Sequence, residues 1–192
     1  MKISVITAVY NRRDTLADAV RSLQAQTHDN FEHVVMDAGS TDGSLDLLEE
    51  LADARMRLVS ERDDGIYDAL NKGMARASGD VIGLMHSDDF FASDTVLELV
   101  ARAFEEGDVD AVYGDLDYVS ATNTERVIRH WTSGEFSHSK LKRGWMPPHP
   151  SLYVRKSVID RWGGYDTSYQ IAADYDAILR WFGKGRIQAR YV

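Results

Sequence analysis

The 192-residue chain contains no cysteine. Disulfides and thiolate-held zinc are therefore excluded, and the redox compartment is left open. No apolar run approaches the roughly 18 to 20 residues that cross a bilayer. Met1-Lys2-Ile3 enters a strand pattern at once, with nothing resembling a signal peptide. A cytoplasmic location is the expectation that follows. Basic residues are in the minority, 22 Lys and Arg against 31 Asp and Glu, for a net charge of −9. That balance argues against nucleic acid as a partner, because phosphate backbones need a basic face. It does not exclude a small anionic ligand held through a metal ion. Proline is scarce, with its three copies confined to residues 147–150. The remaining composition, 44% hydrophobic and 28% charged, is that of a soluble globular chain. Its length suits one domain with a substantial core.

Glycine is missing from one telling place. Residues 2–10 read as a buried first strand rich in β-branched side chains. The chain then turns through Tyr10-Asn11-Arg12-Arg13-Asp14. A dinucleotide-binding turn needs glycines there, so that the backbone can approach a pyrophosphate. No phosphate-cradling glycine loop ending in Lys-Ser or Lys-Thr occurs either. A sugar-1-phosphate nucleotidyltransferase, which would want a glycine-rich basic loop after the first strand, fits poorly for the same reason. Phosphates bound here need another counter-charge.

Up to residue 113, apolar runs and helical stripes alternate. A stripe of Leu16, Ala19, Val20 and Leu23 predicts a helix ending near Thr27, and Phe31 to Met36 a second strand that delivers Asp37 at its carboxyl end. The small-residue loop 38–43 leads to a helix with Leu45, Leu48 and Leu51, then a short strand from Met56 to Ser60. Gly65 to Ala77 reads as a helix closed by Ser78-Gly79, and Val96, Leu97, Val100 and Phe104 mark another before a strand at Ala111 to Tyr113. This is the pattern of a doubly wound, mostly parallel sheet. Beyond Gly114 two strands, Leu116 to Val119 and Arg126 to Trp131, suggest a small antiparallel addition. A loop over 145–150, a strand from Ser151 to Val154 and helices around 158–162 and 173–182 follow. Ile187 to Val192 read as a strand or an extended arm.

The chemistry concentrates in Asp80-Val81-Ile82-Gly83-Leu84-Met85-His86-Ser87-Asp88-Asp89. Its apolar half suits a strand buried on both faces. Its polar half would emerge at the carboxyl end, the edge where open α/β sheets bind ligands. Adjacent carboxylates repel, so Asp88 and Asp89 are either a solvated turn or the hard-oxygen ligands of Mg²⁺ or Mn²⁺, which also takes phosphate oxygens. Asp37 is placed either to accept from a base or ribose or to cap the next loop. Tyr10 offers a stacking face or packs in the core. His149 either reaches a leaving phosphate or an acceptor, or is structural. Of the tryptophans, Trp145 in a loop is a better sugar-stacking candidate than Trp162 and Trp181 on helices.

Five ordered blocks carry a resemblance. Residues 4–11 (Ser-Val-Ile-Thr-Ala-Val-Tyr-Asn), 37–44 (Asp-Ala-Gly-Ser-Thr-Asp-Gly-Ser), 65–73 (Gly-Ile-Tyr-Asp-Ala-Leu-Asn-Lys-Gly), 87–89 (Ser-Asp-Asp) and 173–180 (Ala-Asp-Tyr-Asp-Ala-Ile-Leu-Arg) resemble the motifs of family 2 glycosyltransferases with the GT-A fold. The resemblance implies one domain over residues 1–192, with a nucleotide-sugar half (1–115) and an acceptor-side half (116–192). It places Thr7, Ala8, Tyr10, Asp37 and Asn71 around a nucleoside and assigns Ser87, Asp88 and Asp89 to the metal region, with Mn²⁺ or Mg²⁺ on Asp88 and Asp89. Asp174 matches the general base of inverting members, with Asp176 as the rival carboxylate. The implied donor is a nucleotide-diphosphate sugar, with UDP the expected nucleotide. The implied acceptor is a saccharide or lipid-linked hydroxyl, in polysaccharide biosynthesis, with peripheral membrane contact allowed. Two departures stand out: His86 replaces the first aspartate of Asp-x-Asp, and Ala173 stands where many relatives have glutamate. His86 either binds a hydroxyl or packs at the sheet edge. The chain is also short for the family and ends soon after the Asp174 helix, so a C-terminal segment with acceptor contacts or a membrane-associating helix is an expectation. The competing reading is a catalytically silent nucleotide-sugar-binding module or scaffold.

Overall fold

The computed structural model describes residues 1–192. Its first half alternates as the apolar pattern requires: β1 (Ile3–Val9), α1 (Arg13–Gln24), β2 (Phe31–Asp37), α2 (Ser44–Leu51), β3 (Met56–Ser60), α3 (Ile66–Arg76), β4 (Val81–Leu84), α4 (Val96–Glu106) and β5 (Ala111–Tyr113). An antiparallel ribbon follows, β6 (Leu116–Ser120) with β7 (Asn123–Trp131). The rest comprises α5 (His138–Leu141), a 3-10 turn at His149–Ser151, β8 (Leu152–Arg155), α6 (Lys156–Trp162), α7 (Ala173–Ile178) and β9 (Ala189–Tyr191). A π-helical turn, Leu179–Lys184, continues α7.

The main sheet has seven strands in the order β3-β2-β1-β4-β8-β5-β9, and the ribbon forms a separate two-stranded sheet. Strands β1 to β4 run parallel, while β8 is wedged antiparallel between β4 and β5. The fold is thus α/β with a mostly parallel sheet, and part of the antiparallel component lies inside that sheet. The chain end resolves as a strand, β9, paired parallel to β5. Residues 138–141, to which the sequence pattern assigns no element, form a helical turn. Ser137 caps that turn through its hydroxyl, which accepts from the Lys140 N–H.

Alternation along β1 sends Ile3 and Val5 to a core shared with α1 and α4, and Ile6 to a core shared with α3, α7 and the π turn. Helix α3 lies close on the sheet because Gly73 presents no side chain: a Cβ there would sit 2.4 Å from Ile6 Cγ2. That contact fixes the height of α3 and of Tyr67 in its first turn. Because β8 runs opposite to β4, its amino end lies at the carboxyl edge of the parallel strands. The loop before β8 therefore meets the loop after β4.

Candidate active site

The carboxyl ends of β1 and β2 are in register, with Val9 opposite Asp37. Their loops are stitched together. The Asn11 N–H donates to Ser40 Oγ at 2.9 Å, the Thr41 N–H to Asn11 Oδ1 at 2.9 Å, and the Arg12 N–H to Ser44 Oγ at 2.8 Å. Asn11 adopts a φ of 53°, a left-handed conformation that asparagine tolerates better than most residues. Asp37 is 1% exposed. Its carboxylate accepts from the Gly39 N–H at 3.0 Å, the Ser40 N–H at 3.2 Å and Ser60 Oγ at 2.7 Å. It therefore shapes the wall of the crevice from below. Tyr10, beside it, is 62% exposed and presents an uncovered ring at the same edge.

Two of the expected nucleoside residues have their side chains committed elsewhere. Thr7 is buried, with Oγ1 2.9 Å from Nε2 of the buried His33. On a strand covered on both faces, its position in the alternation turns the hydroxyl into the core. Burial pushes the His33 imidazole down to about 4. Asn71 spans α3 and the loop after α6: its amide donates to the Tyr165 carbonyl and accepts from the Tyr165 N–H, both at 2.8 Å. Its contribution is to tie α3 to the segment that leads to Asp174. Ala8 is half-buried beside the α3-side core.

The loop after β4 leaves the sheet at Met85, whose N–H bonds the Ile6 carbonyl at 3.0 Å. Ser87 is buried, and its carbonyl accepts from Thr15 Oγ1 at 2.8 Å. Asp88 is exposed and Asp89 half-buried. Burial, together with the Asp88 charge, raises the Asp89 carboxyl above its ordinary range. Neither carboxylate is paired with a lysine or arginine. This is an uncompensated pair of hard oxygen donors, and it fits a divalent cation. No group of three or more His, Asp or Glu side chains converges to hold one alone. Such an ion would take its other ligands from phosphates and water, as Mg²⁺-type ions commonly do.

Across the edge, Asp174 stands in the first turn of α7 behind Ala172, whose φ of 67° is left-handed. Its Oδ1 accepts from the Tyr67 hydroxyl at 3.2 Å, and its Oδ2 lies 3.2 Å from His149 Nδ1. The bond from His149 leads the effects that hold this carboxyl below its usual range. His149 Nε2 in turn lies 2.8 Å from His86 Nε2. Burial and the neighbouring His149 charge push the His86 imidazole down. Tyr67, Asp174, His149 and His86 thus form one continuous chain of contacts, linking the Asp174 helix to the strand that delivers Asp88. His86, His149 and Asp174 are each candidates in the sequence, but Tyr67 and the contacts that join the four were not legible there. The signals that existed were the three prolines flanking His149 and the Tyr67 position inside a recurrent motif. Asp176 is engaged separately, 2.7 Å from Arg180 Nε. Trp145 packs beside Tyr113 and Phe136, with Nε1 on the Ser133 carbonyl.

Known proteins share the sequence pattern and the fold of this chain. A family model described as "Glycosyl transferase family 2" matches residues 4–161. An uncharacterized glycosyltransferase of Mycobacterium tuberculosis is 34% identical over 181 residues, covering 93% of this chain and 68% of that protein. A PGL/p-HBAD biosynthesis glycosyltransferase of Mycobacterium bovis is 30% identical over 193 residues, covering 98% of this chain and 73% of that protein. Among solved structures, S. aureus TarS 1-349 in complex with UDP-GlcNAc superposes with a TM-score of 0.79 at 18% identity, covering all of this chain and 56% of that one. Mannosyltransferase PcManGT from Pyrobaculum calidifontis, in complex with GDP-Man and Mn2+, gives 0.74 at 19% identity, covering 99% of this chain and 54% of that one. The chain spans little more than half the length of these solved structures.

Proposed function

This chain belongs to glycosyl transferase family 2, and from that premise we propose that it is an inverting glycosyltransferase acting on a UDP-linked sugar, with Asp174 as general base. The observation that carries the reading is the Asp174 carboxylate, gripped by Tyr67 and His149 at the sheet edge that also presents Tyr10, Asp37 and Asp88. The UDP and GDP complexes of the neighbours support a nucleotide-sugar donor, and the TarS complexes favour UDP.

In this reading Tyr10 stacks on the base, and the Asp37-shaped loop and the backbone at Thr7 and Ala8 border the nucleoside. Asn71 acts from behind, by holding the loop at Tyr165. Asp88 and Asp89 would hold Mn²⁺ or Mg²⁺ against the diphosphate. When bound, that ion supplies positive charge to the departing diphosphate. Asp174 removes the proton of the acceptor hydroxyl as that oxygen attacks the anomeric carbon from the face opposite the leaving group. One base and one in-line displacement invert the anomeric centre. Residues 1–115 form the donor half and residues 116–192 the acceptor side, where a saccharide or lipid-linked hydroxyl would enter. No helix is long and apolar enough to cross a membrane; any membrane contact of this segment through its helices would be peripheral.

The test begins with thermal shifts for UDP, GDP, dTDP and CDP, each with and without Mn²⁺. Native-state ligands raise Tm by mass action, and UDP with Mn²⁺ should give the largest rise. Asp174→Asn should then keep nucleotide binding and Tm while turnover of the UDP-sugar falls roughly 10² to 10⁴-fold. Asp176→Asn should leave turnover much nearer the parent. Nucleotide binding without transfer or donor hydrolysis across a broad acceptor panel would support a silent binding module instead.

A further inference from the structure

The loop before β8 carries every proline of the chain, Pro147, Pro148 and Pro150, around one histidine. Proline fixes its own φ and narrows by steric clash the backbone range of the residue before it. His149, between Pro148 and Pro150, therefore has little backbone freedom. Ser151 tightens the loop further, its N–H reaching the Pro148 carbonyl at 3.1 Å and its hydroxyl the Gly114 carbonyl at 2.8 Å. A ring mounted this way is held in one place. Both of its nitrogens are engaged, Nδ1 at 3.2 Å from Asp174 Oδ2 and Nε2 at 2.8 Å from His86 Nε2. The two imidazoles meet edge to face with centroids 5.0 Å apart.

Proton counting restricts the arrangement. A carboxylate offers only lone pairs, so a hydrogen bond across the 3.2 Å between His149 Nδ1 and Asp174 Oδ2 needs its proton on Nδ1. If His149 is neutral, its Nε2 is bare and accepts from an Nε2–H on His86. If it is cationic, Nε2 donates toward His86 instead. In either state Nδ1 carries a hydrogen. We infer that His149 is a positioning residue, donating its Nδ1–H to Asp174 and locking that carboxylate, through Nε2 and His86, to the strand that presents Asp88. The inference rests on the reading of Asp174 as the base. With the Tyr67 hydroxyl on Oδ1, the carboxylate is gripped at both oxygens, and each keeps a lone pair for the acceptor's proton. A carboxylate free to rotate would spend less time aligned with that proton. The effect of losing His149 should then fall on kcat, leaving donor binding intact.

The test has a spectroscopic arm and a kinetic one. Labelling with [¹⁵N]histidine reports on six histidines, and His149 is assigned by the signal missing in His149→Ala. We expect His149 as the Nδ1–H tautomer or as a doubly protonated ring, and expect that Nδ1–H signal to vanish or average out in Asp174→Ala. A neutral His149 carrying its proton on Nε2, or an Nδ1–H signal that persists unchanged in Asp174→Ala, overturns the inference. The kinetic arm follows UDP release from UDP-N-acetylglucosamine with Mn²⁺. His149→Ala should lower kcat roughly 10- to 100-fold, the scale of one hydrogen bond to a charged group, with donor KM and Tm held. His149→Asn, whose amide can still offer an N–H near the Nδ1 position, should recover most of the loss. An undiminished kcat in His149→Ala beside an inactive Asp174→Asn would overturn the positioning role and leave Asp174 as base. A fully active Asp174→Asn would remove the underlying reading instead. The spectroscopic arm decides the contact whichever donor is turned over.

Discussion

Gly83 is the point at which the strand that delivers Asp88 touches the strand that follows His149. It pairs with Tyr153 across the antiparallel β4–β8 contact, and a Cβ on Gly83 would lie 2.3 Å from Tyr153 Cε1 and 2.5 Å from Cδ1. Carbon atoms in contact rest at about 3.5 to 4.0 Å, so the tyrosine ring would have to move by more than an ångström. Tyr153 is only 2% exposed and packs with Val81, Val112 and Phe104, so there is little space to yield. Overpacking of this kind destabilises by about 1 to 3 kcal/mol, and the closeness of the overlap puts Gly83→Ala at the upper end. Urea denaturation of a double-mutant cycle tests the cause. Tyr153→Val alone should destabilise by several kcal/mol through lost burial, yet adding Gly83→Ala on that background should change little. The coupling should be about 2 kcal/mol. An equal penalty for Gly83→Ala in both backgrounds would refute the steric argument and place the effect in the β4 backbone.

Other perturbations test separate parts of the molecule. Burial alone would raise the Glu32 carboxyl, but bonds from Ser4, the Ser78 backbone, Lys2 and the Ser78 hydroxyl outweigh it and hold it at about 2, against an ordinary 4.5. A depressed folded-state value gives stability present above about pH 4.5 and lost as pH falls toward 2, on the order of 2 kcal/mol after screening. Glu32→Gln should therefore flatten the acid limb of the stability profile; a parallel limb in parent and variant would count against it. Asp88→Asn should preserve Tm yet lose most of the Mn²⁺-dependent part of UDP affinity, and equal metal dependence by calorimetry would reject the assignment. Asp37→Ala strands the Gly39 and Ser40 N–H groups and the Ser60 hydroxyl, so we expect a loss of about 2 to 4 kcal/mol in stability together with weaker metal-free uridine binding. Unchanged uridine affinity would argue against a nucleoside pocket beside that loop.

Much of the architecture was legible because apolar runs end where strands end. Asp37 and Asp88 could be placed at a carboxyl edge from the lengths of the runs before them. The same runs concealed Thr7: in a strand buried on both faces, polar and apolar positions no longer mark the two sides. Nothing local in Leu152–Arg155 says that it inserts antiparallel between β4 and β5, because that position depends on the whole sheet. The meeting of His86 with His149 follows from that insertion, and so it too was hidden. The turn at 138–141 has four residues, too few for a helical period to show.

The two departures from the family pattern have physical readings in this geometry. Ala173 is fully buried in the core beside Ala177 and Phe182. A glutamate there would bring an unpaired charge into apolar packing, so this buried position suits alanine and not an acidic neighbour of Asp174. At position 86 the argument is electrostatic. His86 meets His149 through a ring nitrogen, and a neutral imidazole there can give or accept a proton as His149 requires. An aspartate in its place could only accept. It would draw the His149 proton toward Nε2 and compete with Asp174 for the same imidazole. It would also add a third carboxylate to the edge that already holds Asp88 and Asp89. A histidine at 86 therefore lets His149 serve Asp174 alone, and the departure and the contact explain each other.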